Sequence, residues 1–317
     1  MTDKPGGPEY SLVVPILNEE QTLTELVRRL TLLLDRLDGP AEVVLVDDGS
    51  SDRSYDLMVA AREADPRFKV LRLSRNFGHQ IAITAGMDVA AGNAVIVMDA
   101  DLQDPPEVVL EMAARWREGF DVIYGVREGR PGETRFKKTT ASAFYRLLRR
   151  ISNIDVPLDV GDFRLVDRQA LEAFKSMRET NRYVRGMFSW IGFRQVGVSF
   201  QRDERFAGDT KYPLTKMLKF ATDGVVSFSA APLRLALNLG FAVSALSFAF
   251  GVVALGFKLA GFYSIPGLAS IAVFVAFLGG IQLLVLGLMG EYIARIHDEV
   301  KDRPLYLVRD AHGVRVP

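Results

Sequence analysis

Two acidic residues one position apart, Asp99 and Asp101, follow the uncharged segment 94–98. A short apolar run that ends in carboxylates predicts a buried strand with both acids at its C-terminal tip, where ligands bind in an open α/β sheet. Carboxylates this close repel each other unless a cation lies between them, and oxygen ligands suit Mg²⁺ or Mn²⁺ bound together with substrate phosphates. The spacing therefore predicts a divalent metal on a nucleotide diphosphate. The alternative is a solvated acidic loop that caps a helix beginning at Pro106.

Similar acidic turns follow two other predicted strands. Asn18-Glu19 follows the first strand, and Asp47-Asp48 follows the second. Because the carboxyl ends of parallel strands meet at one edge of a sheet, we expect these acids to lie near Asp99. Asp47 is then placed to accept hydrogen bonds from a ribose or a base.

Two further positions admit both a functional and a structural interpretation. Asp162 and Arg164 bracket Phe163, which fits either a functional acid or a structural ion pair. His79 follows a predicted strand and is placed to approach a phosphate, although packing or solvent exposure at the start of a helix is the favoured interpretation.

Residues 9–124 alternate strand-like and helix-like segments. Strands are predicted at residues 9–15, 41–47, 68–74, 94–99 and 122–124, and helices at 20–37, 52–64, 79–90 and 106–118. Continuous apolar strands separated by helices indicate a parallel sheet that is covered on both faces.

The C-terminal third contains two long uncharged segments. Residues 235–257 carry no charge, and after Lys258 the next charged residue is Glu291. About 20 apolar residues suffice to cross a hydrocarbon core. Both segments are apolar on all faces, which favours transmembrane helices at 235–257 and 267–290 over buried core helices.

Charged and amphipathic segments flank the two predicted spans. Residues 213–231 place apolar side chains at helical spacing, which predicts an amphipathic helix in the membrane interface, with a core-packing helix as the alternative. A cationic helix is predicted at 135–150, either a solvated surface or a site for anionic headgroups or an anionic substrate. Cations lie on both outer sides of the spans and only Lys258 lies between them, so both ends are expected in the cytoplasm.

The composition argues against several classes of protein. The 317 residues include 39 basic and 39 acidic side chains, a balance that disfavours a nucleic-acid-binding protein. Cysteine is absent, which excludes disulfides and cysteine-ligated metals, and three unpaired histidines argue against a histidine metal site. The N-terminus lacks an apolar stretch, so no cleaved signal peptide is expected.

The sequence motifs occur in a recognisable order. The chain reads PxLNE, DDGSxD, SRNFG, DADLQDPP, GDFRLxDR, FAGxTKY and, after the apolar segments, GEYxxRxxxExKxRPLY. This order resembles the polyisoprenyl-phosphate glycosyltransferases of glycosyltransferase family 2, which are similar to dolichol-phosphate mannose synthase, and especially the bacterial bactoprenol glucosyltransferases. The resemblance extends from Tyr10 to about Val308. The chain departs from that subgroup at His79-Gln80, where lysine and a second polar residue are common.

The resemblance implies roles for individual residues. The residues expected to contact the nucleotide sugar are Pro15, Leu17, Asn18, Glu19, Asp47, Asp48 and Asp99. The expected ligands of Mg²⁺ or Mn²⁺ are Asp99, Asp101 and Gln103. Asp162 is expected beside the reacting centre and is grouped with Asp99 and Asp101 as catalytic. The candidates for the acceptor phosphate are Arg127, Lys138 and Arg164.

The resemblance also implies the fold and its placement. We expect a GT-A (Rossmann-like) α/β nucleotide-sugar-binding domain, followed by an amphipathic interfacial helix and two C-terminal transmembrane helices. The expected boundaries are 1–212 for the cytoplasmic GT-A domain, 213–232 for the juxtamembrane helix, 233–292 for the transmembrane helices and 293–317 for a cytoplasmic tail. The expected location is the inner (plasma) membrane.

The implied activity is inverting transfer of a sugar from a nucleotide diphosphate sugar, with UDP-glucose favoured, to a polyisoprenyl phosphate such as undecaprenyl phosphate. The product would be a lipid-linked monosaccharide for modification of cell-envelope glycans. A homo-oligomer is expected, and a small membrane flippase is a further candidate partner. Two alternatives stay open: a processive polysaccharide synthase, although the QxxRW signature is missing, and a noncatalytic nucleotide-binding membrane scaffold.

Overall fold

The computed structural model describes residues 7–128, 160–202, 231–260 and 268–316. These residues divide into two compact units. The first unit contains residues 7–128 and 160–202 together with the tail 303–316, and the second contains residues 231–260 and 268–302. The C-terminal tail therefore returns to the unit with which the chain begins.

The first unit alternates strands and helices and then closes with the tail strand. Its strands are β1 (Tyr10–Ile16), β2 (Ala41–Asp47), β3 (Phe68–Leu73), β4 (Ala94–Val97), β5 (Val122–Arg127), β6 (Val160–Asp167), β7 (Gln195–Phe200) and β8 (Val308–His312). Its helices are α1 (Leu23–Leu34), α2 (Ser54–Ala64), α3 (His79–Val89), α4 (Val108–Arg117), α5 (Arg168–Ser176) and α6 (Val184–Trp190). The predicted strands and helices up to residue 124 are all present, with ends that differ by a few residues.

The described strands form one sheet in the order β7-β5-β6-β4-β1-β2-β3-β8. β1 pairs in parallel with both β2 and β4, and β2 pairs in parallel with β3. The predicted strands β1 to β5 run in the same direction, as the sequence predicts, whereas β6 is antiparallel to β4 and β5, and β8 is antiparallel to β3. The strand–helix alternation on which the prediction rests ends at β5, so it carries no information about these two strands.

Apolar strands and amphipathic helices explain the core. β1 is buried along its whole length, as expected for a central strand that is covered on both faces. α1 buries its leucines at positions 23, 26, 30, 33 and 34, which recur at helical spacing and form one face. α3 lies against β1 and β2 at Gly86, where a side chain would overlap Val13. This close approach holds the N-terminus of α3 beside the carboxyl edge of the sheet.

The second unit consists of two long apolar helices, α7 (Ala231–Leu259) and α8 (Leu268–Val300). Their segments Leu233–Val253 and Phe277–Val300 are long and apolar enough to span a membrane. α8 continues beyond the predicted span, which ends at residue 290. The ion pair between Arg295 Nε and Glu291 Oε1, 3.2 Å apart, stabilises this polar continuation because residues four apart share one helix face.

Some predicted elements lie outside the described residues. They are the cationic helix at 135–150, which includes Lys138, and most of the amphipathic helix at 213–232. Their assignments stay predictions.

Gly86→Val tests the packing that positions α3. A Cβ at this position would overlap Val13 Cγ1 and lie 2.9 Å from Val46 Cγ2. Overpacking a filled core costs about 1–3 kcal/mol, and we expect the free energy of unfolding to fall by that amount. Denaturant titration followed by the fluorescence of Trp116 and Trp190 measures it, since both tryptophans belong to the first unit.

Gly7→Val is the matched control, because no atom lies within 4 Å of a Cβ built there. Equal stability of the Gly86→Val and Gly7→Val proteins would contradict the close packing of α3.

Candidate functional site

The predicted site residues converge at one edge of the sheet. The carboxyl ends of β1, β2 and β4 lie side by side because these strands are parallel. The chain passes from β1 to β2 and β3 on one side and then returns to β4 on the other, which creates a topological switch point beside β1. Ligands of open α/β sheets bind in the crevice at such a point.

Asp162 reaches this edge through a different route. β6 is antiparallel to β4, with Val97 opposite Arg164, so the beginning of β6 lies next to the end of β4. Asp162 is therefore brought to the acids that follow β4, although no parallel strand ends there. Arg127, at the end of β5, and Arg202, just after β7, also lie at this edge, because β5 and β7 are parallel.

Asp47 and Asp48 are both buried, but their carboxylates have different surroundings. Asp48 accepts hydrogen bonds from the backbone N–H groups of Phe77 (2.7 Å) and Gly78 (3.0 Å), which fixes the loop before α3. Asp47 Oδ1 accepts a hydrogen bond from Ser50 N at 2.9 Å. Asp47 Oδ2 lies 3.2 Å from Arg72 Nε and accepts no hydrogen bond from the described residues. Asp47 thus keeps one oxygen in an ion pair with Arg72 and without a hydrogen bond from the described residues, whereas Asp48 organises the loop.

The turn after β1 is built for a close approach to the turn after β2. Pro15 is buried in β1, and Leu17 is exposed at the edge. Asn18 has φ 55°, in the left-handed region that asparagine tolerates better than most residues. Its side-chain oxygen accepts a hydrogen bond from Ser51 N at 2.8 Å. Glu19 Oε2 accepts a hydrogen bond from Thr22 Oγ1 at 2.8 Å, which orients that carboxylate beside the start of α1.

Asp99 and Asp101 follow β4 in a constrained turn. Leu102 has φ 56° and is buried, so its anchored side chain holds a conformation that is unfavourable for residues other than glycine. Asp101 Oδ1 accepts a hydrogen bond from Gln103 N at 3.1 Å. Asp99 Oδ1 is buried and accepts no hydrogen bond from the described residues, although His79 Nε2 lies 3.4 Å away.

The surroundings of Asp99 disfavour a negative charge. Burial, together with the charges of Asp162, Asp104 and Asp101, raises the pKa of Asp99 to about 6, while His79 acts in the opposite direction. A buried carboxylate oxygen with no donor is a position where a cation is stabilised. The donor set of Asp99, Asp101 and Gln103 fits a divalent metal of the Mg²⁺ type, since all three supply oxygen. No group of three or more His, Cys, Asp or Glu side chains with the arrangement of a metal site occurs among the described residues.

Asp162 is held by a clamp that the sequence does not reveal. Arg185 donates from Nε to Oδ1 (2.9 Å) and from Nη2 to Oδ2 (3.2 Å), and Gln80 Nε2 donates to Oδ2 (3.1 Å). Gln80 Oε1 in turn accepts a hydrogen bond from Val184 N, at the start of α6. Although burial acts to raise it, the contacts with His79 and Arg185 hold the pKa of Asp162 well below its usual range. Asp162 is therefore an ionised carboxylate with a fixed orientation.

His79 lies between the two acids, 3.4 Å from both Asp99 Oδ1 and Asp162 Oδ2. Burial acts to lower its pKa, but the hydrogen bond with Asp162 and the charge of Asp99 raise the pKa of His79 above its ordinary value. Packing or simple exposure at the start of a helix, the favoured interpretation from the sequence, omits this contact with both acids.

Two arginines share one buried carboxylate on the other side of the turn. Asp104 accepts hydrogen bonds from Arg127 Nη2 and from Arg202 Nε, both at 3.1 Å. Arg202 Nη2 also lies 3.9 Å from Asp101 Oδ2. Burial and the neighbouring charge of Arg127 lower the pKa of Arg202, which shows that the two guanidinium groups are crowded. Such a pair is suited to bind an anion.

Arg164 points away from this pair. Its guanidinium donates to the backbone oxygens of Asp162 (3.3 Å) and Gly161 (3.0 Å) and lies over the Phe188 ring. Burial lowers the pKa of Arg164 to about 10. Within the described residues Arg164 thus supports the backbone around Asp162, and contact with an acceptor phosphate stays a prediction, as it does for Lys138 outside them.

Sequence reasoning missed four residues of this site: Gln80, Asp104, Arg185 and Arg202. Asp104 belongs to the motif DADLQDPP, and its complete burial is what distinguishes it from a solvated acid. Gln80 attracted notice only as a departure from the subgroup pattern. Arg185 is 23 positions from Asp162 and Arg202 is 98 positions from Asp104, and only strand and helix packing brings each pair together.

Comparisons with known proteins show the family. Residues 11–174 match the model for "Glycosyl transferase family 2". The chain is 51% identical over 306 residues to the uncharacterised glycosyltransferase YkcC of Bacillus subtilis, covering 96% of this chain and 95% of that protein. It is 37% identical over 304 residues to the SfII prophage-derived bactoprenol glucosyl transferase of Shigella flexneri, covering 96% and 98%.

A solved structure with a partly similar fold is glucosyl-3-phosphoglycerate synthase from Mycobacterium tuberculosis, in complex with Mn²⁺, UDP and glucosyl-3-phosphoglycerate. It is 17% identical, with a TM-score of 0.47, and the match covers 69% of this chain and 78% of that one. This likeness is too low to transfer its ligands to the present chain.

A double-mutant cycle tests the clamp on Asp162. Arg185→Met leaves a buried carboxylate without its charged partner, and we expect the free energy of unfolding to fall by about 2–3 kcal/mol, because one partner is partly exposed. Asp162→Asn combined with Arg185→Met should cost less than the sum of the two single changes, with a coupling of about 1 kcal/mol or more. Denaturant titration measures all four proteins.

Arg115→Met provides the matched control, since Arg115 forms an exposed ion pair with Glu118 and should contribute little. Strict additivity in the Asp162 and Arg185 cycle would show that the clamp contributes no coupled stability.

Proposed function

This chain belongs to glycosyltransferase family 2, and from that premise we propose that it transfers a sugar from a nucleotide diphosphate sugar to a polyisoprenyl phosphate in the membrane. The observation that carries the proposal is the convergence, at one edge of the sheet, of an acid whose buried oxygen accepts no hydrogen bond from the described residues and of two arginines that share one carboxylate. Asp99 is suited to a metal on the donor diphosphate, and Arg127 with Arg202 is suited to a second anion. A reaction between a donor diphosphate and an acceptor phosphate requires two anion-binding sites beside each other.

The donor nucleotide is proposed to bind along the turns after β1 and β2. Asp47 Oδ2 is buried beside Arg72 and accepts no hydrogen bond from the described residues, and its proposed partner is a base or ribose hydroxyl. Leu17 is exposed beside this turn and offers an apolar surface. UDP-glucose is the proposed donor, and its glucosyl part is supported by a relative named bactoprenol glucosyl transferase that is 37% identical over nearly its whole length.

Asp99, Asp101 and Gln103 are proposed to hold Mg²⁺ or Mn²⁺. When bound, the metal would neutralise the departing nucleotide diphosphate as a Lewis acid. The chain contributes the rigid turn, in which the buried Leu102 fixes the backbone between Asp101 and Gln103.

The acceptor phosphate is proposed to bind Arg127 and Arg202. Both contact Asp104, and Arg202 also lies 3.9 Å from Asp101 Oδ2, so the two guanidinium groups lie close together at this edge, where an incoming phosphate can accept from both. Undecaprenyl phosphate is the proposed lipid, and α7 and α8 would place the protein in the membrane that holds it. Both termini are proposed to face the cytoplasm, where nucleotide sugars are made.

The chemistry requires little proton transfer from the protein. A phosphate monoester has a second pKa near 6, so the lipid phosphate is already a dianion at neutral pH. Asp162 is ionised and bonded through both oxygens, so its proposed role is to orient His79 and the reacting groups rather than to remove a proton. Catalysis then depends on positioning and charge stabilisation. Direct displacement at the anomeric carbon inverts its configuration.

Two other functions make different predictions. A processive polysaccharide synthase would extend a polymer, so its product would grow with time instead of stopping at one sugar per lipid. A noncatalytic scaffold would bind nucleotide without turnover, and nothing would then require the linked contacts around Asp162. Analysis of the products by thin-layer chromatography separates the three functions.

Asp101→Ala tests the metal assignment. Because Asp101 contributes a carboxylate to the proposed metal site, we expect transfer of radiolabelled glucose from UDP-glucose to undecaprenyl phosphate to fall at least about 100-fold. The protein should stay folded by tryptophan fluorescence. The control is Asp56→Ala, in which an exposed acid of α2 is removed and activity should stay unchanged. Normal metal-dependent turnover in folded Asp101→Ala protein would remove the assignment.

Arg127→Ala tests the acceptor site. Loss of one guanidinium from the pair should raise the KM for undecaprenyl phosphate about tenfold, since a charged hydrogen bond contributes about 1.5–3 kcal/mol, while the KM for the donor changes little. Arg202→Ala should act in the same direction. Arg115→Ala, on an exposed helix face, is the control. Unaltered acceptor kinetics in both variants would count against this site.

A further inference from the structure

The tail strand β8 lies on the edge of the sheet, beside the strand whose Arg72 faces the nucleotide turn. We infer that β8 contributes to the nucleotide site: Asp310 positions Arg72, and Arg72 in turn positions the Asp47 carboxylate. This inference rests on the proposed function, in which Asp47 contacts the nucleotide.

Arg72 connects Asp47 to the tail. Its Nε lies 3.2 Å from Asp47 Oδ2, the buried oxygen that accepts no hydrogen bond from the described residues. Its Nη1 lies 3.8 Å from Asp310 Oδ2. The antiparallel register places Arg72 directly opposite Asp310, and opposite charges at such a pair attract each other. The sheet irregularity between Arg72 and Leu73 falls at the same position.

Tyr55 completes the support of Arg72 from α2. The guanidinium of Arg72 lies 4.0 Å from the centre of the Tyr55 ring, and the Tyr55 hydroxyl lies 3.1 Å from Nε2 of His312, in β8. Asp310 thus contacts the guanidinium itself, and His312 contacts the tyrosine whose ring lies against it. Removal of the tail would leave Arg72 with only Asp47 and the Tyr55 ring among these contacts.

The tail also contacts α3, whose first turn carries His79. The Tyr306 hydroxyl donates to Asp88 Oδ2 at 2.9 Å near the C-terminal end of α3, and Ser74 N donates to Leu307 O at 2.8 Å. Burial and the charge of Asp88 raise the pKa of Tyr306 well above its usual range, so its hydroxyl stays a donor. These contacts anchor the tail before Asp310, and the contact of His312 with Tyr55 anchors it after Asp310.

Coupling between the tail and the nucleotide follows from this arrangement. If docked β8 favours the Arg72 position that suits nucleotide binding, then bound nucleotide must favour docked β8 by the same factor. Residues 301–307 connect the end of α8 to β8. The strand that is coupled to nucleotide binding therefore follows an apolar helix closely along the chain.

Asp310→Asn tests the inference in the full chain in detergent micelles. Affinities for UDP, GDP, dTDP and CDP are measured by calorimetry, and the nucleotide that binds most tightly is used to compare the variants. Removing a partly exposed charge should weaken nucleotide binding about two- to five-fold, in line with a pair of this exposure. In an Arg72→Met background the same change should have no further effect, because the connecting side chain is gone. Hydrogen exchange of peptides that cover residues 305–313 should slow on nucleotide addition in the unmodified chain and slow less in Asp310→Asn.

Asp302→Asn is the matched control, since it makes the same chemical change in an exposed residue of the turn after α8. Its φ is 44°, which asparagine tolerates, and nucleotide affinity should stay unchanged. If Asp310→Asn lowers the melting temperature but binds nucleotide with unchanged affinity, β8 is only a structural edge strand and the inference is wrong. If the unmodified chain binds none of the four nucleotides, the proposed function fails and this inference fails with it.

Discussion

Buried carboxylates must be compensated, and this constraint organises the carboxyl edge of the sheet. Transfer of an unpaired charge out of water is so unfavourable that each buried acid needs a cation, a set of donors or a bound proton. Asp104 is compensated by two arginines, Asp162 by Arg185 and Gln80, and Asp48 by backbone N–H groups. Asp99 lacks a comparable set of donors among the described residues, and burial raises its pKa to about 6. Asp99, with His79 3.4 Å from its Oδ1 and no hydrogen bond to that oxygen from the described residues, is thus a position at which a cation would stabilise the ionised acid.

The same constraint separates residues that bind ligands from residues that hold the site together. Asp47 and Asp48 are adjacent in sequence and both are buried, yet only Asp47 has an oxygen without a hydrogen bond from the described residues. Arg127 and Arg164 were equally plausible phosphate ligands by residue type, but Arg164 donates to backbone oxygens behind Asp162. A ligand-binding group needs bonding capacity that the fold leaves unused, and this capacity is a property of the packed structure.

Membership of glycosyltransferase family 2 gives this arrangement a chemical context. The catalytic unit contains the mixed sheet with its acidic edge, and the second unit supplies two helices that are apolar enough to span a membrane. The tail returns from the second helix to the edge of the sheet, so one continuous segment follows the apolar region and ends beside Arg72. The tail strand β8 is therefore an edge strand of the same sheet, next to β3.

The sequence by itself determined the local elements, the acidic turns, the two apolar helices and the family, because these depend on periodicity, composition and motif order within short segments. β2 follows the predicted bounds residue for residue, since its apolar run is flanked by a proline and an acidic turn. Only the tertiary structure decided the direction of β6 and β8, the clamp of Arg185 and Gln80 on Asp162, and the sharing of Asp104 by Arg127 and Arg202. These contacts join residues up to about a hundred positions apart, and their formation depends on which strands become neighbours. Strand order and hydrogen-bond capacity are set by the packing of the whole sheet, so no local pattern along the chain encodes them.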